Sequence, residues 1–140
     1  MDIKELQIGD WLYSIIFNQT QQKKPIKVVG IRTDCDDPLI QGNDTDVWYC
    51  LETYEPIPLT EEILIQNGFS VFSVESKYTT LRDVHNISCA YCKESKEWLV
   101  GAGPSGSIKK RFVDASCIKY IHELQHILRL CGIDKEITIK

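Results

Sequence analysis

The sequence lacks any apolar run that approaches the roughly 18 residues of a membrane-spanning helix, and no basic, apolar leader opens it. It also lacks an excess of positive charge, because 16 Lys and Arg stand against 20 Asp and Glu, giving a net charge of -4. A net-acidic chain argues against a duplex-DNA binder that neutralises phosphates along a basic face. We therefore expect a cytoplasmic protein with neither a membrane nor duplex nucleic acid among its partners.

Disulfide-rich scaffolds are also unexpected, although the chain has six cysteines. Such scaffolds are typical of short exported domains, whereas this chain has 140 residues and no export signal. We expect reduced thiols and a hydrophobic core that is stable without disulfide bonds. No repeat, low-complexity tract or internal linker interrupts the sequence, which predicts a single domain over residues 1–140.

The clearest helix signal lies near the end of the chain, over residues 116–131. Lys119, His122, His126 and Arg129 fall opposite a broad apolar face, so the two histidines are expected on a solvated surface. Gly132 is the expected helix stop, and residues 133–139 read as a short strand. The apolar face contains Cys117, Tyr120, Ile121, Leu124, Ile127, Leu128 and Cys131.

The rest of the chain reads as short strands around one more helix. Thr60 is a good N-cap and Asn67-Gly68 a good stop, which predicts a helix of about two turns between them. The alternation of apolar and turn residues predicts an α+β fold: an antiparallel meander, either open or closed as an SH3-like barrel, with a short middle helix and a C-terminal helix packed on the sheet. The predicted strands are residues 11–17 and 26–32 as a hairpin, 47–52, 69–74, 84–91 and 97–100. Residues 108–113 are either a last strand or the lead-in to the C-terminal helix.

Three separate segments carry a resemblance to a known group. They are the Ile-Gly-Asp-Trp opening at residues 8–11, the central block at residues 54–64, and Tyr-Ile-His-Glu-Leu-Gln at residues 120–125. Together they resemble a group of small proteins encoded by phages and prophages of Bacteroidales bacteria. That group carries no assigned activity. The resemblance therefore implies a viral or mobile-element accessory protein in the cytoplasm of a bacterial host cell, and it transfers no functional residue.

The sharpest chemical motif is His122-Glu123-Leu124-Gln125-His126, which has the H-E-x-x-H spacing. On a helix this spacing places two imidazoles one turn apart to bind Zn²⁺, and the glutamate can activate a zinc-bound water. A third ligand is hard to find in the sequence, although Glu136 lies close behind the helix. We take His122 and His126 as weak metal candidates, and solvated side chains as the preferred interpretation.

A second motif, G-x-G-x-x-G, runs from Gly101 through Gly103 to Gly106 after an apolar segment. It looks like a dinucleotide-binding fingerprint, but too little chain follows it to complete a second βαβ unit. A flexible hairpin loop is the plainer interpretation. The alternative is that the loop binds an anion. In that interpretation its backbone N–H groups and the cations Lys109, Lys110 and Arg111 hold a phosphate or a nucleotide.

Cys89-Ala90-Tyr91-Cys92 is a single C-x-x-C motif. Zinc would need two further ligands, with Cys50, His85 and Cys117 as the candidates. Within a strand the two thiols would point to opposite faces, so we expect buried or half-buried free cysteines.

The function expected from the sequence is a non-enzymatic interaction module that contacts a host or viral protein, with no catalytic residue and no cofactor. Its expected contact surface is the glycine loop with Lys109, Lys110 and Arg111. One alternative is a binder of a small anionic ligand that uses the segment from Gly101 to Arg111. The other is a zinc hydrolase built on His122, Glu123 and His126.

Overall fold

Two antiparallel five-stranded sheets organise the described part of the chain, which confirms the α+β fold class. The computed structural model describes residues 2–15, 23–84, 87–101, 117–130 and 132–139. The chain forms two compact units, residues 1–57 with 138–140 and residues 58–137. The expectation that residues 1–140 behave as one domain stays a prediction.

The first unit contains five described strands: β1 (Trp11–Ser14), β2 (Lys24–Arg32), β3 (Leu39–Gly42), β4 (Tyr49–Cys50) and β5 (Tyr54–Pro56). They form one sheet with the order β4-β3-β2-β1-β5. Strands β1 and β2 form the expected antiparallel hairpin, with Trp11 opposite Lys27. Strands β4 and β5 do not pair with each other, so the described sheet is open rather than a closed barrel.

The hydrophobic core of this unit follows from the alternation along its strands. In β1 and β3 every second residue is buried, because successive side chains point to opposite faces of a sheet. Strands β3 and β5 were not predicted, since both are short and lie beside turn residues. The predicted strand at 47–52 is reduced to β4 and a following 3-10 turn. The core consists of Leu6, Leu12, Ile26, Val28, Ile40 and Tyr54.

The described elements of the second unit are α1 (Glu61–Gln66), β6 (Ser70–Val74), β7 (Tyr78–Arg82), β8 (Ser88–Cys92), β9 (Glu97–Gly101), β10 (Cys117–Ile118) and α2 (Ile121–Leu130). The strands form one sheet with the order β10-β9-β8-β7-β6. Strand β7 was not predicted, and the strand expected from residue 84 begins only at Ser88. Residues 108–113, predicted as a strand or as the lead-in to the last helix, lie outside the described residues.

Helix α1 has the ends that the sequence predicts. The Thr60 hydroxyl accepts a hydrogen bond from the backbone N–H of Ile63 at 3.3 Å, which caps the first turn. Gly68 has a φ of 89°, a left-handed conformation that glycine adopts without a Cβ clash. Local chemistry therefore fixes both ends of this helix.

Helix α2 begins later than predicted, at Ile121 rather than near residue 116. Cys117 and Ile118 are taken into β10, which pairs with β9, because sheet pairing here competes with helix formation. The stop at Gly132 is confirmed. Its φ is 71°, and the N–H groups of Gly132 and Ile133 donate to the carbonyls of Arg129 and Leu128, which is the Schellman pattern.

The strand predicted at residues 133–139 is wrong, because this segment pairs with no other strand among the described residues. The side chain of Gln125 takes the place of a strand partner. Its Nε2 donates to the Lys135 carbonyl at 2.9 Å, and its Oε1 accepts the Ile137 N–H at 2.7 Å. One carboxamide thus satisfies two backbone groups, and Ile137 is buried beside it.

Candidate functional site

The glutamate of the H-E-x-x-H motif caps its own helix. Oε1 of Glu123 accepts the backbone N–H of Tyr120 at 3.1 Å and that of Lys119 at 3.2 Å. The contact with Tyr120 is the glutamate half of a capping box, in which the third helical residue satisfies the N–H before the helix. This carboxylate is therefore held toward the backbone at the start of α2.

The two histidines do not share the solvated surface that helix periodicity predicts. His122 is only 2% exposed and its ring stacks on Tyr120, whereas His126 is half-buried. The ring centroids of the histidines are 5.7 Å apart with a 68° angle between the planes. The expectation of an exposed His122 is thus wrong, because the buried side of α2 is rotated to include His122 and Gln125. No group of three potential metal ligands assembles within the described residues.

The glycine motif is only partly described. Gly101 is buried in β9, opposite Ser88 of β8, and so belongs to the sheet rather than to a loop. Five further residues of this predicted contact lie outside the described residues, so the ligand or partner contact stays a prediction. They are Gly103, Gly106, Lys109, Lys110 and Arg111.

The cysteines of the C-x-x-C motif have opposite environments, as expected for strand residues. Burial, followed by the charge of Asp83, raises the pKa of the Cys89 thiol. A side-chain hydrogen bond with Ser95 lowers the pKa of Cys92, which is half-buried. The candidate further zinc ligands Cys50 and Cys117 are exposed, and His85 lies outside the described residues. The motif therefore combines a buried thiol of raised pKa, Cys89, with a half-buried thiol of lowered pKa, Cys92.

Among the described residues, β6 is the last strand of the second sheet, and its outer edge pairs with no further strand. Phe72 is 59% exposed, and Val71 and Val74 are exposed as well. The register with β7 shifts between Val71 and Ser73, so Phe72 is the extra residue of a bulge. We call Val71, Phe72 and Val74 the β6 edge. Strand β6 contains neither lysine nor proline, which commonly protect an edge strand, so the bulge at Phe72 is the one protective feature within it.

A shallow groove of about 210 Å³ lies beside the β6 edge. The guanidinium of Arg82 sits 3.7 Å from the centroid of the Phe72 ring, a distance at which a cation is attracted to the ring face. Val84, which is 86% exposed, adds another apolar side chain to the groove wall. The groove is lined by Gly68, Ser70, Val71, Phe72, Arg82, Asp83 and Val84.

A buried ion pair supports this groove from within the second unit. Nζ of Lys135 lies 3.5 Å from Oδ2 of Asp83, and also 5.4 Å from the Phe69 ring centroid. The other oxygen of Asp83 accepts the N–H of Ile87 at 3.0 Å. These contacts hold Asp83 in place, and with it the backbone of its two sequence neighbours, Arg82 and Val84.

A second cleft, of about 300 Å³, lies between α1 and the β8–β9 hairpin. Its lining consists of Leu59, Thr60, Glu61, Glu62, Tyr91 and Trp98. Tyr91 and Trp98 are cross-strand partners with ring centroids 5.1 Å apart. The Trp98 indole is fixed further by a hydrogen bond from Nε1 to the Leu59 carbonyl at 3.0 Å.

Neither surface follows from the motifs of the sequence. The strand at 69–74 was predicted, but its position at the edge of a sheet depends on the order of all five strands. The sequence did contain a signal for the second cleft. Tyr91 and Trp98 are the same number of residues away from the centre of the polar turn at residues 93–96. A hairpin around that turn pairs the two rings.

Comparisons with known proteins give no family or relative from which a function could be inferred, so the function is inferred from the geometry. No protein-family model, curated protein or solved structure shows significant similarity to this chain. Among the described residues, no helix is both long enough and apolar enough to cross a membrane.

Proposed function

We propose that this protein is a non-enzymatic interaction module that binds an extended, apolar segment of another protein along the β6 edge. The observation that carries the proposal is an exposed edge strand whose side chains are mainly apolar. An edge strand offers backbone N–H and C=O groups to a further strand, and adjacent pockets for alternate side chains supply specificity. The partner segment becomes a sixth strand of the second sheet.

The groove beside Phe72 supports this choice of occupant. Its volume of about 210 Å³ is below the roughly 300 to 1,000 Å³ typical of drug-sized ligand pockets. One apolar side chain of an added strand fits such a groove better than a cofactor. Val84 on the other wall extends the apolar contact beyond the strand itself.

The biological setting that we propose is a phage or prophage in a bacterial cell, with a host or viral protein as the partner. This part rests on the resemblance of residues 8–11, 54–64 and 120–125 to the phage-encoded group. Location of the gene among phage genes, with transcription that rises on prophage induction, is the expected result. A gene in an unrelated chromosomal operon would contradict the setting.

Peptide selection tests the binding mode with no need to identify the natural partner first. We expect peptides selected from a random library on the intact protein to be apolar and extended, and to protect the backbone amides of β6 from hydrogen exchange. Phe72→Lys and Val74→Lys should abolish binding, because a lysine interrupts an apolar edge. Val47→Lys is the matched control, since Val47 is also an exposed valine but lies in the first unit.

Three results would contradict the proposal. Equal binding by Phe72→Lys and the Val47→Lys control would remove the β6 edge as the contact. Peptide binding without added protection of β6 amides would exclude strand addition. The third result is sedimentation of the unaltered protein as a dimer that Phe72→Lys, but not Val47→Lys, converts to a monomer. That result would show that the β6 edge binds a second copy of this chain rather than another protein.

A further inference from the structure

The cleft between α1 and the β8–β9 hairpin combines aromatic rings with carboxylates. Tyr91 and Trp98 supply the aromatic side, and Glu61 and Glu62 supply the charge. Among the described residues, the lining contains no Lys, Arg or His. An aromatic face and a carboxylate are the two groups that attract an organic cation most strongly.

The aromatic side of this cleft is rigid. Trp98 is 4% exposed, donates its indole N–H to Leu59 and lies opposite Tyr91 in the β8–β9 register. Tyr91 is half-buried, so part of its surface faces the cleft. A ligand that stacks against this surface does not have to order the rings first, which lowers the entropic cost of binding.

The acidic side has charge available for a ligand. Glu61 and Glu62 are exposed and form no ion pair with any described residue. Their position in the first turn of α1 also suits the helix dipole, which accounts for glutamates there in general. The dipole does not account for the Tyr91 and Trp98 rings on the other side of the same cleft.

We propose that this cleft binds a guanidinium group, presented as an arginine side chain of a polypeptide. Guanidinium is planar, stacks on aromatic rings and donates two N–H groups to one carboxylate, so it matches both sides of the cleft. The volume of about 300 Å³ is at the lower limit of small-molecule pockets, which suits one side chain. This site does not depend on the interaction proposed for the β6 edge.

A pair of matched ligands tests the proposal on the full chain. N-acetyl-arginine amide and N-acetyl-citrulline amide have nearly the same shape, but only the first is charged. In titrations followed by backbone amide NMR shifts, we expect saturable changes at Thr60, Glu61 and Tyr91 with the arginine compound, with a dissociation constant of about 1 mM. The citrulline compound should bind at least tenfold more weakly. Free arginine should also bind more weakly, because its own carboxylate is repelled by the two glutamates.

Variants then connect the binding to these residues. The double change Glu61→Gln/Glu62→Gln should weaken arginine binding at least tenfold, while Glu5→Gln/Glu52→Gln, which removes the same charge from exposed positions in the first unit, should leave it unchanged. Tyr91→Leu should weaken binding similarly. If Tyr91→Leu fails to fold, the glutamine variants still decide, since both glutamates are exposed.

The proposal is overturned by any of three results. These are no saturable shift at 20-fold the expected dissociation constant of about 1 mM, equal affinity for the arginine and citrulline compounds, or equal weakening by the two double variants. Failure of peptide binding at the β6 edge would leave this result untouched, because the two tests use different ligands and different variants.

Discussion

The ammonium nitrogen of Lys135 lies 3.5 Å from Oδ2 of Asp83, whose side chain is fully shielded from solvent. Lys135→Met leaves a buried carboxylate without its cation, and we expect it to lower the free energy of unfolding by about 3 kcal/mol. The double variant Asp83→Asn/Lys135→Met should recover most of that loss, because no unpaired charge remains. Denaturant unfolding of the three proteins measures both values. Equal stability of the single and double variants would show that the pair is not coupled.

The capping role of Glu123 predicts a difference between two substitutions at one position. Glu123→Ala removes the acceptor for the N–H groups of Lys119 and Tyr120 and should cost about 1 kcal/mol of stability. Glu123→Gln keeps an oxygen acceptor and should cost less than half as much. The two unfolding midpoints give the comparison, and equal losses would mean that charge rather than capping sets the stability.

The buried side of α2 predicts which residues of the motif are structural. Leu124→Ala or Leu128→Ala should destabilise the protein by about 2 to 5 kcal/mol, since both side chains are buried. His122→Ala should lower the free energy of unfolding by about 1 to 3 kcal/mol, because the His122 ring is buried against Tyr120. His126→Ala should lower it less, because His126 is only half-buried. Equal effects of His122→Ala and His126→Ala on the unfolding midpoint would contradict the assigned burial.

Tyr54 predicts a loss of stability at alkaline pH. Burial first, and then the charges of Asp44 and Tyr49, raise its pKa to about 12, against about 10 in an unfolded chain. Because the folded protein favours the neutral phenol, its contribution is fully present below about pH 10 and is lost as the pH rises toward about 12. Tyr54→Phe should flatten this part of the stability profile. An unchanged alkaline slope in the variant would assign the loss to another group.

The two thiols of β8 should differ in reactivity. Cys92 should be alkylated by iodoacetamide in the native protein, with a rate profile shifted below that of an ordinary thiol, because hydrogen bonding with Ser95 lowers its pKa. Cys89 is buried and should react only after unfolding. Ser95→Ala should move the Cys92 profile to higher pH. Peptide mass mapping after timed labelling separates the cysteines, and early labelling of Cys89 would contradict its burial.

Local interactions are the part of the structure that the sequence by itself determined. Thr60 and Gly68 fix the ends of α1, and Gly132 fixes the end of α2, because each acts on backbone groups within a few residues. The hairpin of β1 and β2 and the α+β class follow in the same way from apolar alternation and turn residues. These features do not depend on distant parts of the chain.

The tertiary structure alone decided which polar residues are buried and which strand is an edge. Periodicity places His122 and Gln125 outside the apolar face, but Gln125 becomes satisfied by backbone groups ten and twelve residues further along. Burial of a polar group depends on whether a partner arrives, and that partner is distant in sequence. The exposure of Phe72 depends likewise on the order of five strands, because an edge is a property of the assembled sheet.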